Sequence, residues 1–228
     1  RSLSPYKGVY VKILCCTYRD WANKIYHSLE QKFTDKTFIK INSMDFDYGH
    51  IETIKPDLIL WYGWSKIIPN ALLKKYYSVM LHPSPLPLYR GGSPIQNQII
   101  NGEEVSAVTL FKMNEGIDTG DIISQVPLSL KGDLEEIFAR ITDLGTNQTR
   151  KMILDFPNLK LKKQNNCISS LFKRRTPSQS EITFEELSRS NAKDIYNKIR
   201  ALQDPYPNAF LRFKDGSKLY LTKSHYEK

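Results

Sequence analysis

The feature that most constrains this chain is a repeated alternation in its first third. Apolar runs of strand length, VYVKILCCTY, DLILWYGW and YSVMLH, are separated by segments with helical spacing, such as DWANKIYHSLEQK with Trp21, Ile25 and Leu29. TFIKINS reads as a further strand, HIETIKP as a short helix closed by Pro56, and IIPNALLKKY as a helix with Pro69 near its first turn. Strands that read as nearly continuous apolar runs are buried on both faces and need helices on each side. The pattern predicts an α/β fold, a Rossmann-like domain with a mostly parallel sheet. Such sheets take ligands beyond the carboxyl ends of their strands, and YSVMLH ends there on His82. No GxGxxG follows the first strand, so no dinucleotide site is expected.

Further along, Ser93 as N-cap and Pro94 at the first helical position open the helix PIQNQIIN, which Gly102 ends. VSAVTLFKM and IISQVPLSL read as strands. Asp133 caps a long helix with Leu134, Ile137, Ile141 and Leu144 on one face. The expected organisation is a lead-in over 1–10 (RSLSPYKGVY), a catalytic domain over 11–157, a basic connector over 158–180 and a small C-terminal subdomain over 181–228. That subdomain is read as the helix NAKDIYNKIRAL, the turn DPYPN, and a β-hairpin of AFLRF and KLYL around Asp215-Gly216. So small a hairpin must dock to be stable, either within the protomer or across a homodimer.

Charge adds little. Lysine and arginine number 33 against 24 acidic residues, a net charge of +9. Lys160, Lys162, Lys163, Lys173, Arg174 and Arg175 concentrate it in the connector, read as a solvated linker. No aromatics interleave with these charges as in RNA-binding signatures, so no nucleic-acid partner is expected. Cys15, Cys16 and Cys167 lack metal-ligand spacing, and the adjacent pair reads as buried thiols in a reducing, cytoplasmic compartment; no metal is expected. No apolar run approaches the roughly 20 residues of a membrane span. Lys12 and Arg19 interrupt the only early apolar stretch, so neither a secretory signal nor a membrane partner is expected.

Two elements carry chemistry. His82 is followed by Pro83, Pro85 and Pro87, which stiffen the chain behind a group that could handle a proton. GIDTGDII places Asp118 on a tight loop between strands, where a carboxylate can orient an imidazole. Together, HPSPLPLYRGGSPIQNQIINGE and VTLFKMNEGIDTGDII resemble the core of the formyltransferases that use 10-formyltetrahydrofolate. The resemblance implies that His82 and Asp118 are the catalytic pair acting on an amine that attacks a formyl carbon. It places the pterin near Trp61, Tyr62, Gly63, Trp64 and Ser65 and near Asn114, Glu115, Gly116, Ile117 and Asp118. One position departs: the family's asparagine falls at Met80, which cannot donate a hydrogen bond. Gln96, Asn97 and Ser65 are the candidate substitute donors; the asparagine being dispensable, or activity being lost, are the other readings.

The wording RGGSPIQNQI and the ending RRTPSQSEI, then IYNKIRALQDPYPNAFLRF, look like the sugar N-formyltransferases. The methionyl-tRNA branch carries a β-barrel after the catalytic domain, for which this chain reads as too short. The resemblance thus implies a nucleotide-linked amino sugar, of the dTDP type used for surface polysaccharide, as small-molecule substrate. Tyr89, Arg90, Gly91, Gly92 and Ser93 are then expected to meet its phosphates or hydroxyls. A methionyl-tRNA formyltransferase-like enzyme and a non-catalytic nucleotide-sugar or folate binder are the alternatives.

Overall fold

A computed structural model describes residues 11–227. The RSLSPYKGVY lead-in, with the first two residues of the first apolar run, lies outside the described residues. The chain runs β1 (Lys12–Cys16), α1 (Asp20–Lys32), β2 (Thr37–Ile41), α2 (His50–Ile54), β3 (Leu58–Tyr62), α3 (Asn70–Lys75) and β4 (Tyr77–His82). After these come β5 (Arg90–Gly91), α4 (Pro94–Ile100), β6 (Val105–Lys112), β7 (Ile122–Ser129) and α5 (Leu134–Asp155). The remainder is β8 (Leu171–Phe172), α6 (Phe184–Arg189), α7 (Ala192–Ala201), β9 (Ala209–Arg212) and β10 (Lys218–Leu221).

Six strands form one sheet in the order β2-β1-β3-β4-β6-β7. Its first four strands are parallel, and β6 pairs antiparallel to β4. The mostly parallel α/β sheet is therefore as the alternation predicts. Alternate residues on β1 and β3 serve opposite faces. Leu14, Cys16, Ile59 and Trp61 form one core cluster with Ile51 of α2 and Leu72 of α3. On the other face, Cys15, Leu60 and Tyr62 meet Ala22, Ile25 and Leu29 of α1. Burial pushes the thiols of Cys15 and Cys16 and the Tyr62 phenol well above their ordinary pKa values, so both cysteines are inert packing groups. Tyr62 Oη also lies 2.8 Å from Thr149 Oγ1, tying β3 to α5.

Two compact units emerge. One holds the chain through His82 together with Thr109–Ser124 and Thr142–Gln164. The other holds Pro83–Val108, Gln125–Ile141 and the chain from Asn165 onward. The chain passes back and forth between them, so the units do not follow the linear boundaries drawn from composition. In the second unit α4 packs on α7, and Ile182, Ile199, Leu202 and Ala209 form a separate small core. The β9–β10 pair is the antiparallel hairpin foreseen around Asp215-Gly216.

Three local expectations are corrected. Ser93 stands at the start of α4 but at φ 53°, and its hydroxyl does not cap the helix. It accepts instead from the backbone N–H of Arg175, at 3.1 Å. The basic connector is not simply a solvated linker: β8 within it pairs in parallel with β5, Arg90 opposite Leu171 and Gly91 opposite Phe172. Helix α6 was unforeseen, although Thr183 followed by Glu186 is a capping signal, and Thr183 Oγ1 accepts from the Glu186 N–H at 3.0 Å. The Asp133 cap is as expected: its Oδ1 accepts from the Glu136 N–H and its own N–H donates to Glu136 Oε2, each at 3.0 Å.

Gly145 sets how closely α5 approaches the sheet. A Cβ there would lie 2.6 Å from Leu81 Cδ1 and 2.9 Å from Ile25 Cδ1, both flexible side-chain ends. Gly145→Ala should therefore stay within about 1 kcal/mol of the parent, its strain offset by roughly 1 kcal/mol of helix propensity. Gly145→Leu should cost about 1–3 kcal/mol by overpacking. Urea denaturation of both variants checks the pair.

Candidate active site

His82 is the last residue of β4 and pairs across the ladder with the fully buried Thr109. Its Nδ1 lies 3.5 Å from Asp118 Oδ2, and the two side chains are 6% and 11% exposed. A carboxylate at Nδ1 favours the tautomer protonated there and leaves Nε2 as the basic nitrogen. The pair predicted from HPS and GIDTG is thus brought together within one compact unit.

Asp118 reaches His82 from an unusual backbone, at φ 51°. Aspartate tolerates this left-handed region better than most residues. Its loop is organised by Asn114, whose Oδ1 accepts from the Gly116 N–H at 3.1 Å and from the Thr119 hydroxyl at 2.7 Å. A side chain at Gly116 would collide with that hydroxyl. The Lys112 N–H donates to the Asp121 carbonyl at 2.9 Å and closes the loop. Glu115 turns outward to Lys74, 2.7 Å away, and Ile117 is 57% exposed.

The stretch expected at the pterin leaves little side chain to offer. Trp61, Tyr62 and Trp64 are buried, with Trp64 Nε1 donating to Tyr48 Oη at 3.2 Å. Gly63 at φ 66° makes the turn that follows β3. Met80 packs against the cluster around Trp61, its ladder partner, as a half-buried apolar residue. Among the three substitute donors, Ser65 Oγ lies 2.5 Å from Tyr18 Oη, and Asn97 Nδ2 donates to the Gly92 carbonyl at 3.0 Å. Gln96, 3% exposed, is the one of the three whose amide nitrogen is buried without a hydrogen-bond partner.

Tyr89, Arg90, Gly91, Gly92 and Ser93 belong to the other unit and hold the connector. The Tyr89 ring stacks on Phe172 with centroids 4.9 Å apart, and its N–H donates to Ser170 Oγ at 2.8 Å. Arg90 is buried, with Nη2 donating to Asn166 Oδ1 at 2.7 Å. A Cβ at Gly91 would strike the Phe172 carbonyl, and one at Gly92 the Arg174 backbone. Sequence reasoning missed Gln164, whose side-chain amide donates to the carbonyls of Asp118 and Gly120 at 2.9 and 2.7 Å. Only its place at the end of a basic run, far from GIDTG in sequence, marks it in the chain.

Residues 41–153 match the family model described as formyl transferase, and residues 176–228 that of the formyl transferase C-terminal domain. The structure of methionyl-tRNA formyltransferase from Clostridium thermocellum is 30% identical, with TM-score 0.78 over 92% of this chain and 96% of that one. The chain belongs to the formyl transferase family. Methionyl-tRNA formyltransferase of Campylobacter curvus (strain 525.92) is 36% identical over 72% of this chain and 53% of its own length. This chain thus spans about half the length of the curated relatives it matches. A sugar N-formyltransferase from a Shewanella species shares the fold, at 20% identity and TM-score 0.75 over 95% of this chain and 99% of that one. Because this chain covers 96% of the Clostridium methionyl-tRNA formyltransferase chain, length does not separate the tRNA branch from the sugar branch.

Gly120 is where this loop is least tolerant. A Cβ there would collide with the Lys112 carbonyl, a backbone atom that cannot rotate aside. Gly120→Ala should cost about 1–3 kcal/mol, measurable as a lowered urea midpoint with an unchanged slope.

Proposed function

We propose that this chain transfers a formyl group from 10-formyltetrahydrofolate to a primary amine carried by a nucleotide-linked amino sugar. The observation that carries the transfer reading is the buried His82–Asp118 pair at the end of β4, in a member of the formyl transferase family. The donor supplies an electrophilic formyl carbon, and the amine nitrogen bonds to it. His82 Nε2 accepts the proton that the amine must lose, and Asp118 balances the imidazolium that results. The tetrahydrofolate nitrogen leaves with a proton, so a formamide and tetrahydrofolate are the products.

The donor reading is supported by the turn after β3: with Trp61, Tyr62 and Trp64 buried, a flat heterocycle placed there would meet the main chain rather than their rings. The exposed side chain of Ile117, next to Asp118, offers it an apolar surface.

Two acceptors compete. The RGGSP wording and the fold shared along 99% of the Shewanella sugar N-formyltransferase chain support the amino sugar. The 36% identity to a methionyl-tRNA formyltransferase supports the α-amine of a tRNA-bound methionine. Incubation with 10-formyltetrahydrofolate and either nucleotide-linked amino sugars or charged initiator tRNA, followed by mass spectrometry, separates them. Gain of one formyl group on a sugar is expected. Formylation of the tRNA alone would transfer the assignment, and formylation of neither would remove it.

His82→Asn and Asp118→Asn should each lower turnover by about 100-fold or more, as for proton-transfer groups, with the fold retained by circular dichroism. A near-parental rate in either folded variant would refute the assigned roles. Met80→Leu should leave the rate near that of the parent and cost less than about 1.5 kcal/mol of stability. A large loss of rate there would give the thioether a part in the chemistry.

A further inference from the structure

We propose that Gln164 is a positioning residue that holds Asp118 against His82, an inference that rests on the catalytic reading of that pair. Its single amide nitrogen donates to the carbonyls of Asp118 and Gly120, at 2.9 and 2.7 Å. An amide nitrogen carries two hydrogens, so the two bonds use both. They straddle Thr119 and clamp the residue whose backbone departs from ordinary conformations, Asp118 at φ 51°.

Gln164 is itself held in register. The N–H groups of Ile122 and Lys162 each donate to the other's carbonyl at 2.8 Å, an isolated antiparallel bridge. Two residues on from Lys162, Gln164 falls opposite Gly120, two residues before Ile122. There the side chain reaches the loop's carbonyls and prolongs the pairing. Gly120 lies against the Lys112 carbonyl on its other side. The loop is thus confined between β6 and the 162–164 segment, with the Asp118 carboxylate 3.5 Å from His82 Nδ1.

A clamp of this kind makes a demand that simple packing does not: the residue must donate two hydrogen bonds at that reach. Gln164→Met keeps the shape and loses both donors. Gln164→Glu keeps the shape and turns a carboxylate towards two carbonyl oxygens. Both are expected to lower kcat by at least tenfold, with KM for donor and amine within about twofold of the parent. The thermal midpoint should fall by about 2–10 °C for the lost hydrogen bonding, while the fold is retained. In an Asp118→Asn background, Gln164→Met should change kcat little further, because the clamp acts through Asp118. Unchanged kcat in both single variants would overturn the proposal, as would a full tenfold loss in the Asp118→Asn background.

Backbone hydrogen exchange keeps the question separate from the assigned activity. In Gln164→Met, the amides of Lys112 and Gly116, which donate to the Asp121 carbonyl and to Asn114 Oδ1 and so close the loop, should exchange at least tenfold faster while those of β1 and β3 stay protected. If the parent transfers no formyl group but this loosening is seen, the functional reading fails and the clamp stands. Unchanged exchange at both amides would sink the clamp whatever the activity.

Discussion

The pairing of β4 on both its edges is the constraint from which the site follows. On one edge it runs parallel to β3, placing Met80 beside Trp61; on the other it runs antiparallel to β6, placing His82 beside Thr109. Register in a buried sheet is strongly specified, because a slip of one residue would turn every side chain to the opposite face. A slipped β4 would carry His82 into the packing around α1 and α5 and Leu81 out of it. Running antiparallel, β6 passes from Thr109 beside His82 to Lys112 beside Val79, so the loop that follows must fold back along β4 to bring Asp118 within 3.5 Å of His82.

Burial then gives the pair its chemical character. His82 and Asp118 are almost wholly withdrawn from water, where a contact between imidazole and carboxylate counts for more than at the surface. Met80, two residues back on the same face, adds apolar surface there where the family's asparagine would add a donor. The exchange lowers local polarity beside His82.

Much of this was legible in the chain because parallel strands advertise themselves. LILWY and YSVMLH are apolar with little interruption, and their boundaries come out close to β3 and β4. His82 and Asp118 were legible because proline and glycine crowd the segments around them. Ser93 was misjudged as a cap because its partner, Arg175, lies far downstream in a stretch whose lysines and arginines suggested solvent, the same stretch that holds Asn166, the partner of Arg90. A parallel pairing as short as that of Arg90-Gly91 with Leu171-Phe172 has no periodicity to read. Gln164 was invisible for the same cause, since its partners are backbone carbonyls, which any sequence supplies.

The loop from Asn114 to Asp121 shows how the fold holds a residue in a strained backbone conformation. A non-glycine residue in the left-handed region carries a cost on the order of 1–3 kcal/mol and persists only when its surroundings over-determine it. Each hydrogen bond around it contributes about 0.5–1.5 kcal/mol net. Asn114 supplies two from within the loop and Gln164 two from outside it. Four such bonds together match or exceed the strain at Asp118, whereas either pair alone only roughly equals it. The internal pair moves with the loop and cannot say where the loop sits. The bonds from Gln164 can, because that residue is anchored through Lys162 to the first residue of β7. Local order and placement therefore come from different residues, and the aim of Asp118 depends on the second.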